Sequence, residues 1–231
     1  MIKRDLYINQ LGEYIDKPLI KVITGIRRSG KSAILKLLSN ELQNRGIEKK
    51  QIINLNFESF ENKEIDNAEK LFRYIKERAS GGTRLYILLD EIQEVDSWEK
   101  AVNSIFNDFN ADIYITGSNS HMLSSELATY LTGRYVELNI YTLSFEEFLK
   151  FRKVLTGGRE IDVKKEFRIF LRSGGFPVLQ VAEYTNETEA KVVYDIFSSI
   201  LLNDVVRRNN NRDLELLGRV VRYMFDNTGN R

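Results

Sequence analysis

The sequence predicts an α/β fold in which a five-stranded parallel sheet is flanked by helices and followed by a smaller all-helical lid. In roughly the first 140 residues, short apolar runs alternate with helical patterns, which is typical of a doubly wound parallel sheet. One of these runs, Leu85–Leu89, is apolar throughout, as expected for a strand covered on both faces. After Thr142 the strand-like runs give way to helical patterns.

Five segments have the length and composition of strands. Because strands that alternate with helices pair in parallel, we expect all five to run in the same direction. The predicted strands are Leu19–Thr24, Ile52–Phe57, Leu85–Leu89, Ile113–Thr116 and Tyr135–Ile140.

Helical periodicity fills the segments between these strands. Ser32–Arg45 carries apolar residues at helical spacing and is followed by Gly46, a common stop signal. Asp66 and Glu69 resemble a capping box, which predicts a helix that begins there and ends near Arg78.

Further helices are predicted along the rest of the chain. The apolar residues that follow Trp98 recur at helical spacing and predict an amphipathic helix. In the second half, Ser144 and Glu147 form a capping box at the start of another helix. The remaining predicted helices are Val163–Leu171, Glu187–Arg207 and Asp213–Phe225.

Composition excludes several classes of function. The net charge of +1 gives no overall attraction to nucleic acid or to a membrane surface. The absence of cysteine excludes thiolate zinc sites and cysteine nucleophiles, and a single histidine excludes a His-rich metal site. Because no apolar stretch approaches ~18 residues and the N-terminus lacks the apolar segment of a secretory signal, we expect a cytoplasmic protein with no membrane partner.

One motif indicates phosphate binding. Residues 25–32, with the sequence GIRRSGKS, match G-x-x-x-x-G-K-[ST] at every specified position and lie between an apolar strand and an amphipathic helix. Glycine at both ends lets backbone N–H groups approach a phosphate, and the helix N-terminus attracts the same anion. Lys31 can reach the β- and γ-phosphates, and the Ser32 hydroxyl can ligate Mg²⁺. The predicted nucleotide-binding residues are Gly25, Ile26, Arg27, Arg28, Ser29, Gly30, Lys31, Ser32 and Ala33.

Two of these residues, Arg27 and Arg28, occupy variable positions of the motif. Two interpretations are open for their side chains, contact with the nucleotide or exposure to solvent.

Two carboxylates, Asp90 and Glu91, follow the apolar run Leu85–Leu89. If this strand lies beside the strand that precedes the phosphate loop, Asp90 approaches Mg²⁺ through a water. Glu91 can then orient and deprotonate the water that attacks the γ-phosphate. A solvated acidic strand end is the alternative interpretation.

Small polar residues follow the strand Ile113–Thr116. Because the carboxyl ends of parallel strands share one edge, where ligands bind, Ser118 or Asn119 could hydrogen-bond the attacking water or the γ-phosphate. An ordinary polar turn is the alternative.

Four segments together resemble the bacterial and archaeal AAA+ ATPases that carry a winged helix and a C-terminal domain of unknown function. The segments are GIRRSGKS, LLDEIQ, ITGSNSHMLSSELATYLTGRYVELNIYTLSFEEF and SGGFP. The resemblance covers essentially the whole chain and implies that Ser118 or Asn119 is the sensor at the end of the fourth strand. It also implies that Arg134 senses or stabilises the γ-phosphate, in cis or from a neighbouring subunit. A solvent-facing salt bridge is the alternative for Arg134.

This resemblance divides the chain into three parts. We expect a P-loop core over residues 1–142, a helical lid over residues 143–212, and a helix with the start of a winged-helix region over residues 213–231. Such proteins usually extend well beyond this length, so the sequence is expected to be either a truncated or a short form. The expected partners are ATP and ADP, with a second copy of the chain and, through the missing region, nucleic acid as further candidates.

The sequence therefore favours an enzyme that hydrolyses ATP with Mg²⁺ and drives a conformational change in an attached domain or an unknown client. A non-hydrolysing ATP-dependent switch or DNA-associated regulator is one alternative, in which binding alone is the signal. A P-loop kinase is a further alternative, which the adjacent Asp90 and Glu91 disfavour because a kinase must avoid activating water.

Overall fold

The structure is a computed structural model that describes residues 1–79, 82–117, 131, 133–200 and 214–228. The five predicted strands are present in a single parallel sheet with the lateral order β2-β3-β4-β1-β5, which confirms the predicted fold class. The strands are β1 Ile20–Thr24, β2 Ile52–Asn56, β3 Leu85–Asp90, β4 Ala111–Thr116 and β5 Tyr135–Asn139.

The strand order corrects one expectation. The strand that ends in Asp90, β3, does not lie beside β1, because β4 lies between them and pairs with both. A helical crossover can carry the chain to a neighbouring or to a more distant strand position, and the local sequence of a strand does not encode which of these occurs. The carboxyl ends of all five strands still meet at one edge of the sheet, since all five strands are parallel.

Eight α-helices lie in the described part of the chain. One of them, α1, has no counterpart among the helices predicted from sequence. The helices are α1 Asp5–Tyr14, α2 Lys31–Asn44, α3 Ala68–Arg78, α4 Trp98–Asp108, α5 Phe145–Leu155, α6 Val163–Ser173, α7 Asn186–Ile200 and α8 Leu214–Asp226.

The two predicted capping boxes have different outcomes. At α5 the prediction is confirmed, because the Glu147 amide donates to Ser144 Oγ at 3.2 Å and the Ser144 amide donates to Glu147 Oε2 at 3.0 Å. At α3 it is wrong, because the N-cap is Asn67, whose side-chain oxygen accepts from the Lys70 amide at 3.1 Å. Asp66 lies one residue too early to cap the helix, and its carboxylate instead pairs with the Lys70 ammonium.

The hydrophobic core lies on both faces of the sheet, as the apolar run in β3 predicts. Leu85, Ile87 and Leu89 face one cluster, which also contains the buried residues of α3 and α4. Tyr86 and Leu88 face the other cluster, which contains the buried residues of α1 and α2. Each fully buried aliphatic side chain contributes roughly 1.5–3 kcal/mol relative to an exposed one, so both helical layers hold the sheet in place.

The chain divides into two compact units, Met1–Glu183 and Tyr184–Arg231. The first unit contains the sheet together with α5 and α6, which enclose a small cluster around Phe148. In the second unit the rings of Phe197 and Phe225 lie 6.3 Å apart. The predicted division at residues 142 and 212 stays a prediction.

None of the helices in the described ranges is long and apolar enough to cross a membrane.

A buried ion pair joins β1 to β4 at the amino edge of the sheet. The Lys21 ammonium donates to the Asp112 carboxylate, and both side chains are fully buried. The second oxygen of Asp112 accepts from the Tyr114 hydroxyl at 2.9 Å and from the Asp16 amide at 2.8 Å. Burial lowers the pKa of Lys21, and the hydrogen bond to Asp112 opposes that shift. The pair is stable because its desolvated charges are matched and hydrogen-bonded.

Removal of one member of this pair should strongly destabilise the fold. In Asp112→Ala, the Lys21 ammonium is left buried without its counter-charge, which should lower the free energy of unfolding by about 3–5 kcal/mol. Urea unfolding followed by circular dichroism measures the loss. Glu69→Ala, which removes the partner of Arg73 in an exposed pair on α3, is the matched control and should unfold at the wild-type urea concentration. Equal midpoints for the two variants would contradict the structural role of the buried pair.

Candidate functional site

The loop between β1 and α2 has a backbone that only glycine can adopt at two positions. Gly25 has φ of 149° and Gly30 has φ of 103°. A Cβ atom on Gly25 would lie 2.3 Å from the carbonyl oxygen of Ile140, which is closer than any side chain can approach backbone. The glycine at position 25 therefore has a steric cause, since the loop passes directly over the end of β5.

The Lys31 side chain is buried and lies across the loop. Its ammonium donates to the carbonyl oxygen of Gly25 at 3.1 Å and lies 3.7 Å from Glu91 Oε1. The positive charge is thus held between the loop backbone and the Glu91 carboxylate, which follows β3. This position suits a cation that binds a phosphate placed over the loop.

Asp90 is buried at the end of β3 and accepts a hydrogen bond from the end of β4. Thr116 Oγ1, at the end of β4, donates to Asp90 Oδ1 at 2.6 Å. Burial raises the pKa of Asp90, while hydrogen bonds from Thr116 and Ser32 act in the opposite direction. The influence of Ser32 on this pKa indicates that the first turn of α2 lies near the end of β3, although β3 and β1 are not neighbours.

Glu91 has a left-handed backbone with φ of 53°, which is uncommon for a residue other than glycine. Its amide donates to Thr116 Oγ1 at 3.0 Å, and its Oε2 accepts from Gln93 Nε2 at 2.7 Å. Such a backbone costs of order 1–3 kcal/mol and is found most often at functional sites. The contacts hold the Glu91 carboxylate beside Lys31, at the edge where the loop lies.

Thr116 is a site residue that the sequence-based reasoning did not select. Its hydroxyl donates to Asp90 and accepts from the Glu91 amide, so one side chain holds the Asp90 carboxylate and the Glu91 backbone. Its position as the last residue of β4 was the available signal, since strand ends share one edge of a parallel sheet. The same signal predicts a role for Ser118 or Asn119, and both of these residues lie outside the described residues.

The other predicted residues of the loop lie in different surroundings. Arg27 Nη2 donates to Glu58 Oε1 at 3.0 Å, so this side chain pairs with a protein carboxylate just after β2. Burial, followed by the charge of Glu91, raises the pKa of Glu58, which indicates that Glu58 lies near the same acidic edge. Arg28 is exposed and has φ of 65°, Ile26 is exposed, Ser29 is buried, and Ser32 and Ala33 are half-buried at the start of α2.

Arg134 lies at the opposite edge of the sheet from the loop of its own chain. Its carbonyl oxygen accepts from the Ile20 amide, at the start of β1, whereas the loop follows the end of β1. The length of β1 separates them, about 16 Å for five residues at ~3.3 Å per residue. Its guanidinium donates to the side-chain oxygens of Asn103 at 2.7 Å and Asn107 at 3.3 Å. The structure therefore does not bring Arg134 to the site in cis, and its described side-chain partners are amides rather than the carboxylate of a salt bridge. A role in a neighbouring subunit stays a prediction.

Sequence comparison adds relatives to this geometry. The family described as "AAA domain" matches residues 17–149. An uncharacterized protein of Haemophilus influenzae is 44% identical over 231 residues, covering 99% of this chain and 56% of that protein. An uncharacterized protein of Methanocaldococcus jannaschii is 32% identical over 236 residues, covering 98% of this chain and 50% of that protein. The chain thus spans about half the length of the curated relatives it matches.

Structural comparison gives the same fold. A Walker-type ATPase of Pyrococcus abyssi superposes with a TM-score of 0.53 and 15% sequence identity, covering 99% of this chain and 75% of that chain. At this level of identity the likeness concerns the fold alone.

The role of Thr116 can be tested through stability. Thr116→Val keeps the shape of the side chain but removes a hydrogen bond to a buried carboxylate and leaves the Glu91 amide without this acceptor. The free energy of unfolding should fall by about 1.5–3 kcal/mol, as measured by chemical denaturation. Thr156→Val is the matched control, because its hydroxyl donates to the carbonyl oxygen of Arg152 within a helix, and it should lose clearly less. A Thr116→Val protein as stable as wild type would show that this hydroxyl does not hold the Asp90 carboxylate and the Glu91 backbone in place.

Proposed function

This chain belongs to the AAA domain family of nucleotide-binding ATPase cores, and from that premise we propose that it binds ATP with Mg²⁺ at residues 25–33 and hydrolyses it. The observation that carries the proposal is the position of three charged groups at one edge of the sheet. The Lys31 ammonium lies 3.7 Å from the Glu91 carboxylate, and Thr116 links Glu91 to Asp90.

Binding would start with the loop backbone. The positive φ angles at Gly25 and Gly30 and the start of α2 at Lys31 give a turn whose N–H groups can face an anion. Lys31 now donates to a loop carbonyl and is near Glu91. A triphosphate offers this ammonium a stronger negative charge than a carbonyl oxygen, so we expect Lys31 to exchange the Gly25 contact for phosphate oxygens.

Ser32 and Asp90 are the residues that would hold Mg²⁺. The Ser32 hydroxyl is close enough to Asp90 to lower the pKa of that carboxyl, and both side chains present oxygen atoms, which are the ligands that Mg²⁺ prefers. Over the described ranges, no group of three or more acidic or histidine side chains is arranged to hold a metal ion. Two protein ligands fit Mg²⁺, because this ion usually keeps several waters and takes phosphate oxygens of the substrate. When bound, it supplies charge neutralisation at the phosphates.

Glu91 is the proposed general base. Its carboxylate is ordered by Gln93 and lies beside Lys31, so it can accept a proton from a water placed over the loop. As this water attacks the γ-phosphorus, the bond to the bridging oxygen breaks, the proton passes to Glu91, and ADP and phosphate result. Lys31 stabilises the negative charge on the transferred group, because its ammonium lies within the loop.

The consequence of hydrolysis is proposed to be a conformational change in an attached domain or a client. The curated relatives carry about as much sequence again as the part that matches this chain, and such an additional region is a candidate recipient. A non-hydrolysing switch is the alternative that the experiment below separates from an ATPase.

Two substitutions should separate binding from hydrolysis. Lys31→Ala should abolish measurable binding of Mg²⁺-ATP, because it removes the cation inside the loop. Glu91→Gln should keep the binding affinity and lower phosphate release by at least about 100-fold, since it removes the base without changing the shape. Isothermal calorimetry measures binding and a coupled assay measures phosphate release.

Glu94→Gln is the matched control for these measurements, because Glu94 is exposed three residues further along and should retain wild-type turnover. ATP binding with no release of phosphate by wild type would favour the non-hydrolysing switch. Equal turnover of Glu91→Gln and wild type would remove Glu91 as the base. Well-folded wild-type protein that does not bind Mg²⁺-ATP would overturn the proposed function.

Arg134 is proposed to act on the site of a neighbouring copy, because its own loop lies at the other edge of the sheet. Arg134→Ala should then be nearly inactive, like Glu91→Gln. After subunit exchange, an equal mixture of the two should recover about a quarter of wild-type activity. Half of all sites keep Glu91, and half of these adjoin a neighbour that keeps Arg134. An equal mixture of Lys31→Ala and Glu91→Gln is the control and should recover little, because both defects affect the same site. Full activity of Arg134→Ala alone would remove this residue from the mechanism.

A further inference from the structure

Arg4 is a buried arginine that contacts the phosphate loop from outside the motif. Its side chain is 3% exposed, and its Nη1 donates to the carbonyl oxygen of Ser29 at 3.0 Å. Its Nε and Nη2 donate to the two carboxylate oxygens of Glu147 at 2.8 and 2.9 Å. Nη2 also donates to the carbonyl oxygen of Tyr141 at 3.0 Å, and the guanidinium lies 4.5 Å from the ring centre of Tyr7. All three nitrogen atoms of this guanidinium therefore donate hydrogen bonds.

The contact with Ser29 fixes the direction of one particular N–H group. The carbonyl of Ser29 and the amide of Gly30 belong to the same planar trans peptide, so they point in opposite directions. When Arg4 holds the carbonyl on its own side, the Gly30 N–H must point away from Arg4. Because Gly30 has no side chain and a φ of 103°, this peptide would otherwise rotate easily. A hydrogen bond to the carbonyl also polarises the peptide and strengthens its N–H as a donor.

We propose that Arg4 is a positioning residue that holds the Ser29–Gly30 peptide with its N–H directed towards the bound phosphates. The inference rests on the proposed function, because it assumes that the loop binds a nucleoside triphosphate. It extends that function, since Arg4 lies outside the phosphate-binding motif and 25 residues from Ser29.

Glu147 extends this arrangement to the first turn of α5. Burial would raise the pKa of Glu147, but the hydrogen bonds from Arg4 and the Ser144 amide, together with the charges of Arg4 and Lys150, hold the pKa below its ordinary value. The same carboxylate accepts from the Ser144 amide as part of the capping box. The orientation of the loop peptide is therefore linked to the N-terminus of α5. A displacement of α5 that withdrew Glu147 would leave the Arg4 charge buried without its partner and would release the Ser29 carbonyl.

A purely structural role is the competing explanation, in which Arg4 only fastens α1 to the rest of the fold. The chain offers a matched pair that separates the two roles. Arg152 Nε donates to Glu166 Oε2 at 2.8 Å between α5 and α6, in a pair of the same chemistry. Among the residues that the structure describes, the side-chain contacts of Arg152 do not include the phosphate loop. A structural role predicts that both arginines affect stability alone, whereas the positioning role predicts a loss of phosphate affinity for Arg4 only.

The experiment compares Arg4→Met, Arg4→Lys and Arg152→Met by thermal unfolding and by calorimetric titration with Mg²⁺-ATP and with inorganic tripolyphosphate. Arg4→Met should weaken both ligands by about tenfold or more, because it removes a charge-assisted hydrogen bond behind a phosphate-binding amide. Arg4→Lys should recover part of this affinity, since one ammonium can reach Ser29 or Glu147 but cannot span both. Arg152→Met should bind both ligands within about twofold of wild type, although its melting temperature falls.

If Arg4→Met does not unfold cooperatively, Glu147→Gln decides the question. This variant keeps the shape and the capping-box acceptor but leaves the Arg4 charge uncompensated, and it should weaken both ligands severalfold. Wild-type affinity in a folded Arg4→Met protein, or in Glu147→Gln where Arg4→Met is unfolded, would overturn the positioning role while leaving the proposed function intact. An absence of ATP binding by wild type would instead overturn the proposed function and this inference together.

Discussion

The parallel direction of the five strands is the constraint on which the site depends. All five carboxyl ends lie at one edge of the sheet. This edge brings together the loop after β1, the carboxylates at the end of β3 and the hydroxyl at the end of β4, although these groups are far apart in sequence. Lateral order then decides which groups touch. With β4 between β1 and β3, Thr116 becomes the link between the Asp90 carboxylate and the Glu91 amide.

Burial makes these contacts necessary as well as useful. A carboxylate removed from water is costly unless donors compensate it, and the Thr116 hydroxyl compensates Asp90. Lys31 is equally buried and is compensated by a loop carbonyl and by Glu91. These interactions are weaker than those between an ammonium and phosphate oxygens. In the proposed function, the triphosphate takes the place of the carbonyl contact of Lys31.

The sequence predicted the features that are local and could not predict those that depend on lateral order. GIRRSGKS and the Ser144 capping box are short patterns whose geometry follows from backbone sterics, so strand, loop and helix were predicted correctly there. The neighbour of β3 was predicted wrongly, because periodicity gives the faces of a strand but not its position in the sheet. Arg4 gave no signal at all, since its partner Glu147 is 143 residues away. The position of Arg134 could have been predicted, because it precedes the predicted strand Tyr135–Ile140 and therefore lies at the amino edge of a parallel sheet.

The buried ion pairs Lys21–Asp112 and Arg4–Glu147 differ in what their remaining hydrogen bonds contact. The remaining hydrogen bonds of Asp112 go to Tyr114 and to the chain before β1, so that pair only fastens the core. The remaining donors of Arg4 go to backbone carbonyls, one in the phosphate loop and others after β5. A pair that merely stabilised the fold could satisfy its donors with any nearby acceptor. An arginine whose planar fork is divided between a capping carboxylate and a loop carbonyl instead makes the geometry of one depend on the other.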